Sequence, residues 1–385
     1  MRRILATAML LSAMVLSVPA VKTEEAASEA ERPQVEVVFV LDTTGSMGGL
    51  IQAAKEKIWA IANTLASTKP APDIKMGLVG YRDRGDIYIT KLTDLTDDLD
   101  AVYEQLMGFA ADGGGDTPES VNQALNEAVT KINWSKGGKA YRVIFLVGDC
   151  PPHMDYADDI KYPDSCKAAA TTGITVNTIQ CGNQGETQPI WSDIADRAEG
   201  RYFRVEQSGG AILAATPFDA ELAELSKEFE GTRLYYGDAE VMAEARDRKE
   251  VAGRISVEAP AAAKASRAVF GTSAAGDRAA SKHDLVAEVA TGAVKLEDVK
   301  AEELPEEIRK MSPEERNKYL KEQQAKREKV QARIKELADK RQALIEEQIR
   351  KSELKGKQSL DFAIFECIQK QAAKKGIIYE GGPAF

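Results

Sequence analysis

The sequence predicts an α/β protein. It reads as a doubly wound, Rossmann-like, six-stranded and mostly parallel sheet with one antiparallel edge strand, followed by a mainly α-helical C-terminal region. Three observations predict this. Short apolar runs alternate with amphipathic segments from Val35 to Val205, the pattern of strands joined by crossover helices. The link from Tyr81 to Ile87 is too short for a crossover, so those strands form an antiparallel hairpin. Beyond Gly209 the β-branched runs cease and Ala, Glu, Lys and Arg take over.

The elements follow in order. Val37 to Leu41 is continuously apolar, as in a strand buried on both faces. Gly48 to Ser67 repeats apolar residues with helical period. Asp73 to Tyr81 is a second strand and Ile87 to Leu92 a third. Asp97 to Phe109 is a helix. Three glycines, Gly113 to Gly115, then form a flexible loop, with Thr117 as helix cap and Pro118 at the first helical position. That helix runs to about Trp134. Arg142 to Val147, Ile174 to Gln180 and Tyr202 to Val205 are the remaining strands, with helices at Asp164 to Thr172 and Ile190 to Glu199 between them.

The rest divides by texture. Residues 209–300 are an Ala-rich helical or linker region, and residues 301–385 hold a charged long helix or helical hairpin. Ser312-Pro313-Glu314-Glu315 is a strong helix start. Val330, Ile334, Leu337, Leu344 and Ile345 keep a loose heptad stripe that Arg341 and Gln348 interrupt. A hairpin or weak coiled coil fits that better than a strict zipper, and self-association through these helices is an expected partner mode.

The amino terminus has the pattern of an export signal. Arg2 and Arg3 precede the apolar run Ile4 to Val15, and Val18-Pro19-Ala20 is a small-residue cleavage site. Residues 1–20 are therefore expected to be a signal peptide and 21–33 a disordered leader. The mature chain is expected in the periplasm, in the cell envelope or secreted, with no transmembrane segment. The formal net charge of -10 argues against a nucleic-acid partner. Export permits disulfides among Cys150, Cys166, Cys181 and Cys367. The preferred pair is Cys166–Cys181, with Cys150–Cys181 as the alternative.

Chemistry concentrates at the carboxyl ends of two strands. Asp42, Thr44 and Ser46 follow the first strand as D-x-T-x-S, and Asp149 follows the fourth. In a doubly wound sheet these ends can flank the point where strand order reverses, where ligands bind. Thr117 reaches the same place from its glycine loop. The set is all oxygen, which suits Mg²⁺, with Mn²⁺ or Ca²⁺ also compatible. Tyr81, Arg82, Asp83 and His153 are candidate rim residues. Arg84-Gly85-Asp86 spells a cell-adhesion triplet, but Gly-Asp is ordinary turn chemistry.

These residues resemble a von Willebrand factor type A domain with a metal-ion-dependent adhesion site. The resemblance rests on Asp42-x-Thr44-x-Ser46, Gly115-Asp116-Thr117 and Gly148-Asp149. GYRDRGD, GGGDTPESV and VGDCPPH are similar to the A domain of the bacterial and alpha-kinase-linked branch. It covers the expected domain, residues 34–208. Two departures are Thr44 in place of the usual Ser, and Cys150-Pro151-Pro152 where Gly is common. The resemblance implies cation-dependent protein binding rather than catalysis, a partner's Asp or Glu completing the metal shell. Two rivals are a metal-dependent enzyme or chelatase-like accessory subunit, and a cell-envelope structural protein assembling through its C-terminal helices. The enzyme needs a base beside the metal, and His153 is the candidate.

Overall fold

The sheet runs in the order β3-β2-β1-β4-β5-β6. Its strands are β1 (Gln34–Asp42), β2 (Asp73–Tyr81), β3 (Thr90–Thr96), β4 (Tyr141–Gly148), β5 (Ile174–Cys181) and β6 (Tyr202–Val205). All neighbours pair in parallel except β2 and β3. The antiparallel strand is thus at the edge, as expected, but starts three residues later than Ile87. The computed structural model describes residues 32–115, 117–211, 215–351 and 359–385. The expected signal peptide, nearly all of the leader, and Asp116 lie outside the described residues.

Alternation along each strand builds two cores. Val35, Val37, Phe39 and Leu41 of β1 face α1 (Gly48–Ala66) and α2 (Leu99–Met107). Val38 and Val40 face the opposite layer of α3 (Val121–Thr130), α4 (Tyr162–Thr172) and α5 (Thr187–Arg197). Side chains of a strand alternate in this way with period two. The same alternation separates two cysteines. Cys166 packs in the α3–α5 layer, while Cys181 points to the α1 side. The preferred Cys166–Cys181 disulfide is therefore corrected: the sheet stands between them, and all four cysteines are free thiols.

Helix α3 also begins later than expected. Val121, not Pro118, opens it, and Ser120 occupies the cap position. Residues 117–120 instead form an irregular strap. Glu119 N donates to Pro151 O at 3.0 Å and His153 N to Glu119 O at 3.1 Å. The strap ties Thr117 to the loop after β4.

The C-terminal region is not an appendage. It comprises α6 (Asp219–Glu230), α7 (Ala239–Glu258), α8 (Ala261–Thr272), α9 (Ala274–Ala280), α10 (Leu285–Thr291), α11 (Glu306–Arg309), α12 (Pro313–Lys351) and α13 (Leu360–Ala372). Arg32–Phe385 form one compact unit. Helix α8 packs on α1, α7 packs on α2, and α13 lies against α1, β4 and β5. Within residues 209–300, expected to be an Ala-rich helical or linker region, α8 and α9 lie in this packed body as helices. Among the described residues no helix is long and apolar enough to cross a membrane.

The long helix α12 is one continuous 39-residue rod, about 58 Å at ~1.5 Å per residue. Val330, Ile334 and Leu337 pack on Leu222 and Phe229 of α6 and on Ala265 and Ala268 of α8. The seam is thus used within the chain. Its polar interruptions are matched rather than exposed. Arg341 Nε meets Asp219 Oδ1 at 2.8 Å, and both side chains are buried. Arg327 donates to Thr232 and pairs with Asp284 at 2.7 Å. A buried ion pair that loses one partner strands the other charge. Asp219→Ala is therefore expected to destabilise the chain by about 3–5 kcal/mol, and adding Arg341→Met to recover most of that. Chemical denaturation checks this, and a double variant no more stable than Asp219→Ala would show the two groups to be uncoupled.

Candidate metal site

Asp42 and Asp149 meet because β1 and β4 are neighbours at the point where strand order reverses. Each carboxylate sits at its strand's carboxyl end. Asp42 is fully buried and Asp149 nearly so. Asp42 Oδ1 accepts from Thr44 N at 2.9 Å and Thr44 Oγ1 at 2.6 Å. Thr44 Oγ1 lies 3.4 Å from Ser46 Oγ. Asp149 Oδ2 accepts from Gln207 Nε2 at 2.7 Å. The other two oxygens, Asp42 Oδ2 and Asp149 Oδ1, are buried without a hydrogen-bond partner. Orphaned buried carboxylate oxygens are rare and costly.

Charge crowding reinforces that point. Burial first, and Asp149 as a further cause, push the Asp42 carboxyl up to about 7, against the opposing hydrogen bonds from Thr44. A nearby cation reverses both unfavourable effects, since it favours the ionised form. Among the described residues no three His, Cys, Asp or Glu side chains gather as a metal cluster. The set relies on two carboxylates and on hydroxyls, which suits a hard divalent cation that keeps water ligands.

Thr117 stands at the mouth. It is exposed, and its Oγ1 lies 3.8 Å from Cys150 Sγ, next to Asp149. Ser46 is exposed too, so the two hydroxyls border the opening while the carboxylates form its floor. Thr187 Oγ1 donates to Asp149 O at 2.8 Å, and Trp191 Nε1 to Cys150 O at 3.1 Å. These bonds from α5 hold the Cys150-Pro151-Pro152 turn that departs from the family pattern.

The glycine-rich loop is a tight fit rather than a flexible span. Gly114 adopts φ +69°, and a Cβ there would lie 2.8 Å from Thr44 Cβ and 2.9 Å from Glu119 Oε1. Asp86 Oδ2 accepts from Gly114 N and from Asp83 N, both at 3.1 Å. Arg84 pairs with Asp158 and Asp159 at 2.9 and 2.6 Å. The Arg84-Gly85-Asp86 triplet is thus a turn that latches this loop, as its composition suggested.

The four expected rim residues are buried, so they support the site from below. The Tyr81 ring is fully buried, and a Cβ on Gly148 would come 2.4 Å from its hydroxyl and 3.0 Å from Asp42 Oδ2. Arg82 donates to Thr43 O at 3.2 Å and Ala110 O at 2.7 Å, clamping two loops. Asp83 accepts from Ser120 Oγ at 2.7 Å and Tyr156 OH at 2.8 Å. His153 Nδ1 lies 2.8 Å from Asp155, its Nε2 3.3 Å from Asp83, and its ring stacks on Tyr156. Its contacts run to these groups rather than to the five oxygens.

Glu119 escaped the sequence reading. It is buried, Oε2 has no hydrogen-bond partner, and burial and then Asp42 push its carboxyl up to about 9. The only available signal was its position two residues after Thr117.

Comparison with known proteins comes to the same fold region. Residues 36–213 match the family model described as von Willebrand factor A domain. An ariadne-like RING finger protein, R811, of Acanthamoeba polyphaga mimivirus is 29% identical over 198 residues, 47% of this chain. The match spans 19% of that protein, about a fifth of its length. Among solved structures, a von Willebrand factor type A protein from Catenulispora acidiphila is 18% identical, covering 46% of this chain and 39% of its own, at a TM-score of 0.36. The SpRpn10 VWA domain is 15% identical over 46% of this chain and 89% of its own, at 0.35. Proximal thread matrix protein 1 of the mussel byssus, with zinc in its MIDAS motif, is 16% identical over 46% of this chain and 42% of its own, at 0.37.

Proposed function

Because residues 36–213 carry a von Willebrand factor A domain, we propose that the chain is a divalent-cation-dependent protein-binding protein that captures a carboxylate from its partner. The observation that carries this is the pair of orphaned, buried oxygens, Asp42 Oδ2 and Asp149 Oδ1, at adjacent strand ends. Asp42, Thr44, Ser46, Thr117 and Asp149 would hold the cation, Mg²⁺ by the hardness of the donors. When bound, the cation supplies a coordination position open to a partner's Asp or Glu. Ser46 and Thr117 border the opening through which that side chain arrives. Asp42 and Asp149 would offset part of that cation's charge.

The reading is of a binding module rather than a catalyst. His153, the candidate base, is buried between Asp83, Asp155 and Tyr156. Immobilised protein is expected to retain an acidic partner from an envelope extract with Mg²⁺, and to release it on addition of chelator. Retention unchanged by chelator or by Asp42→Ala would end this reading. Export belongs to the same proposal and is supported by Arg2-Arg3 followed by the apolar run to Val15. The mature chain is expected to begin at Val21, and an intact mass that retains Met1 through Ala20 would contradict it.

A further inference from the structure

One side chain bridges the two halves of the carboxylate site. Gln207 lies just beyond the end of β6. Its Nε2 donates to Asp149 Oδ2 at 2.7 Å and to Ser46 O at 3.4 Å. Asp149 follows β4 and Ser46 belongs to the turn after β1, so the contact spans the point where strand order reverses. Both neighbours are acceptors, so the amide nitrogen rather than the oxygen must face them. A carboxamide has two N–H donors, and a carboxylate and a carbonyl of the two metal-site segments take both.

The amide has a prepared seat. Gly182 adopts φ +75°, and a Cβ there would run into Gln207 Oε1. Gly182 N donates to Val205 O at 3.0 Å, which fixes this glycine beside the end of β6. The chain around Gln207 is held as well. Gly209 N donates to Glu206 O at 2.8 Å, and Leu360 N, at the start of α13, donates to Gly209 O at 3.1 Å. Gln207 as a whole is exposed, so its amide is not there to fill a core. Its bond occupies Asp149 Oδ2 and leaves Oδ1 as the unpartnered oxygen.

We propose that Gln207 is a positioning residue of this site and makes it select Mg²⁺ over Ca²⁺. This role presupposes the cation site proposed above and adds to its five oxygen donors. Mg²⁺ demands near-octahedral oxygens at about 2.0–2.1 Å, whereas Ca²⁺ accepts flexible arrays at about 2.3–2.6 Å. Outer hydrogen bonds hold ligating carboxylates in place. With the Asp149 carboxylate and the Ser46 backbone tied to one amide, the two sides of the site resist the spreading that the larger ion needs.

Gln207→Met provides the test, since it keeps the length of the side chain and removes both donors. The full chain, stripped with chelator and dialysed, is titrated calorimetrically with Mg²⁺ alone and with Ca²⁺ alone. Wild type should bind Mg²⁺ more tightly. Gln207→Met should weaken Mg²⁺ binding about tenfold and Ca²⁺ binding much less, while keeping cooperative melting in chelator. Gly182→Ala, whose methyl would displace the amide, should lower the same ratio. The two substitutions together should lower it little further than either alone, because they remove one contact. A part in stability alone would leave the ratio where it was. An unchanged ratio in Gln207→Met, or a wild type that prefers Ca²⁺, overturns this role while the cation site stands. If wild type binds neither ion, the site itself fails and Gln207 has nothing to position.

Discussion

Asp42→Asn is expected to have opposite effects with and without cation. Without it, the variant should be at least as stable as wild type at pH 8. Burial and Asp149 hold the Asp42 carboxyl up at about 7, so the folded chain retains a proton that the unfolded chain releases in the ordinary carboxylate range. Its contribution to stability therefore falls as pH rises from about 4 to about 7, and at pH 8 the full penalty is present. Asparagine removes that penalty and can still accept from Thr44. With Mg²⁺ the order reverses. A ligand at a hundred times its dissociation constant stabilises the folded state by about 2.7 kcal/mol, which raises the melting temperature by about 5 °C or more at ~2–4 °C per kcal/mol. Asp42→Asn should lose that shift, as should Asp42→Ala. Melting curves in Mg²⁺ and in chelator decide it, and a wild-type Mg²⁺ shift in either variant would remove Asp42 from the site.

Removal of residues 359–385 should prevent the A domain from folding, although the family match ends at residue 213. Helix α13 buries Leu360, Ile364, Phe365, Cys367 and Ile368 in the same core as β1 and β4. Gln371 accepts from Tyr141 OH at 2.8 Å and from Asn177 Nδ2 at 3.0 Å, and donates to Asn177 Oδ1 at 2.7 Å. Large apolar side chains contribute about 1.5–3 kcal/mol each on burial. Four of these, Leu360, Ile364, Phe365 and Ile368, together rival the whole ~5–15 kcal/mol stability of a typical domain. The milder Ile368→Ala should cost about 2–5 kcal/mol. Soluble, cooperatively melting protein lacking residues 359–385 would show that α13 does not complete this core. The same packing changes how the structural-protein rival is tested. Deleting residues 304–385 removes part of the A domain's own core, so a lost oligomer would follow from unfolding as readily as from a lost seam.

Much of the sheet was legible because strands buried on both faces must be apolar throughout. Val37 to Leu41 and Arg142 to Val147 announce themselves in that way. β2 and β6 have the expected bounds. The hairpin was legible from a chain-length constraint, and its later start at Thr90 was not. Ile87 is exposed despite its β propensity, because the Asp83–Asp86 turn uses the intervening chain to latch Gly114.

Local spacing determined the D-x-T-x-S triplet, since three groups two residues apart need only a strand end to converge. The doubly wound pattern brought Asp149 to the same place. Glu119 was not legible, because its burial depends on a strap that replaces the expected first turn of α3. Arg341 looked like a flaw in a heptad seam, and its partner Asp219 lies 122 residues away. No local pattern encodes such a pair. The cysteines show the same limit: a proximity judged along the chain failed because a sheet lies between Cys166 and Cys181.

By itself, then, the sequence determined the alternation of strands and helices and the identities of the oxygen donors. Both follow from periodicity and from residues close along the chain. Only the tertiary structure decided that the C-terminal helices complete the A domain's core. That outcome rests on contacts between residues hundreds of positions apart, where burial on one element is set by the shape of another.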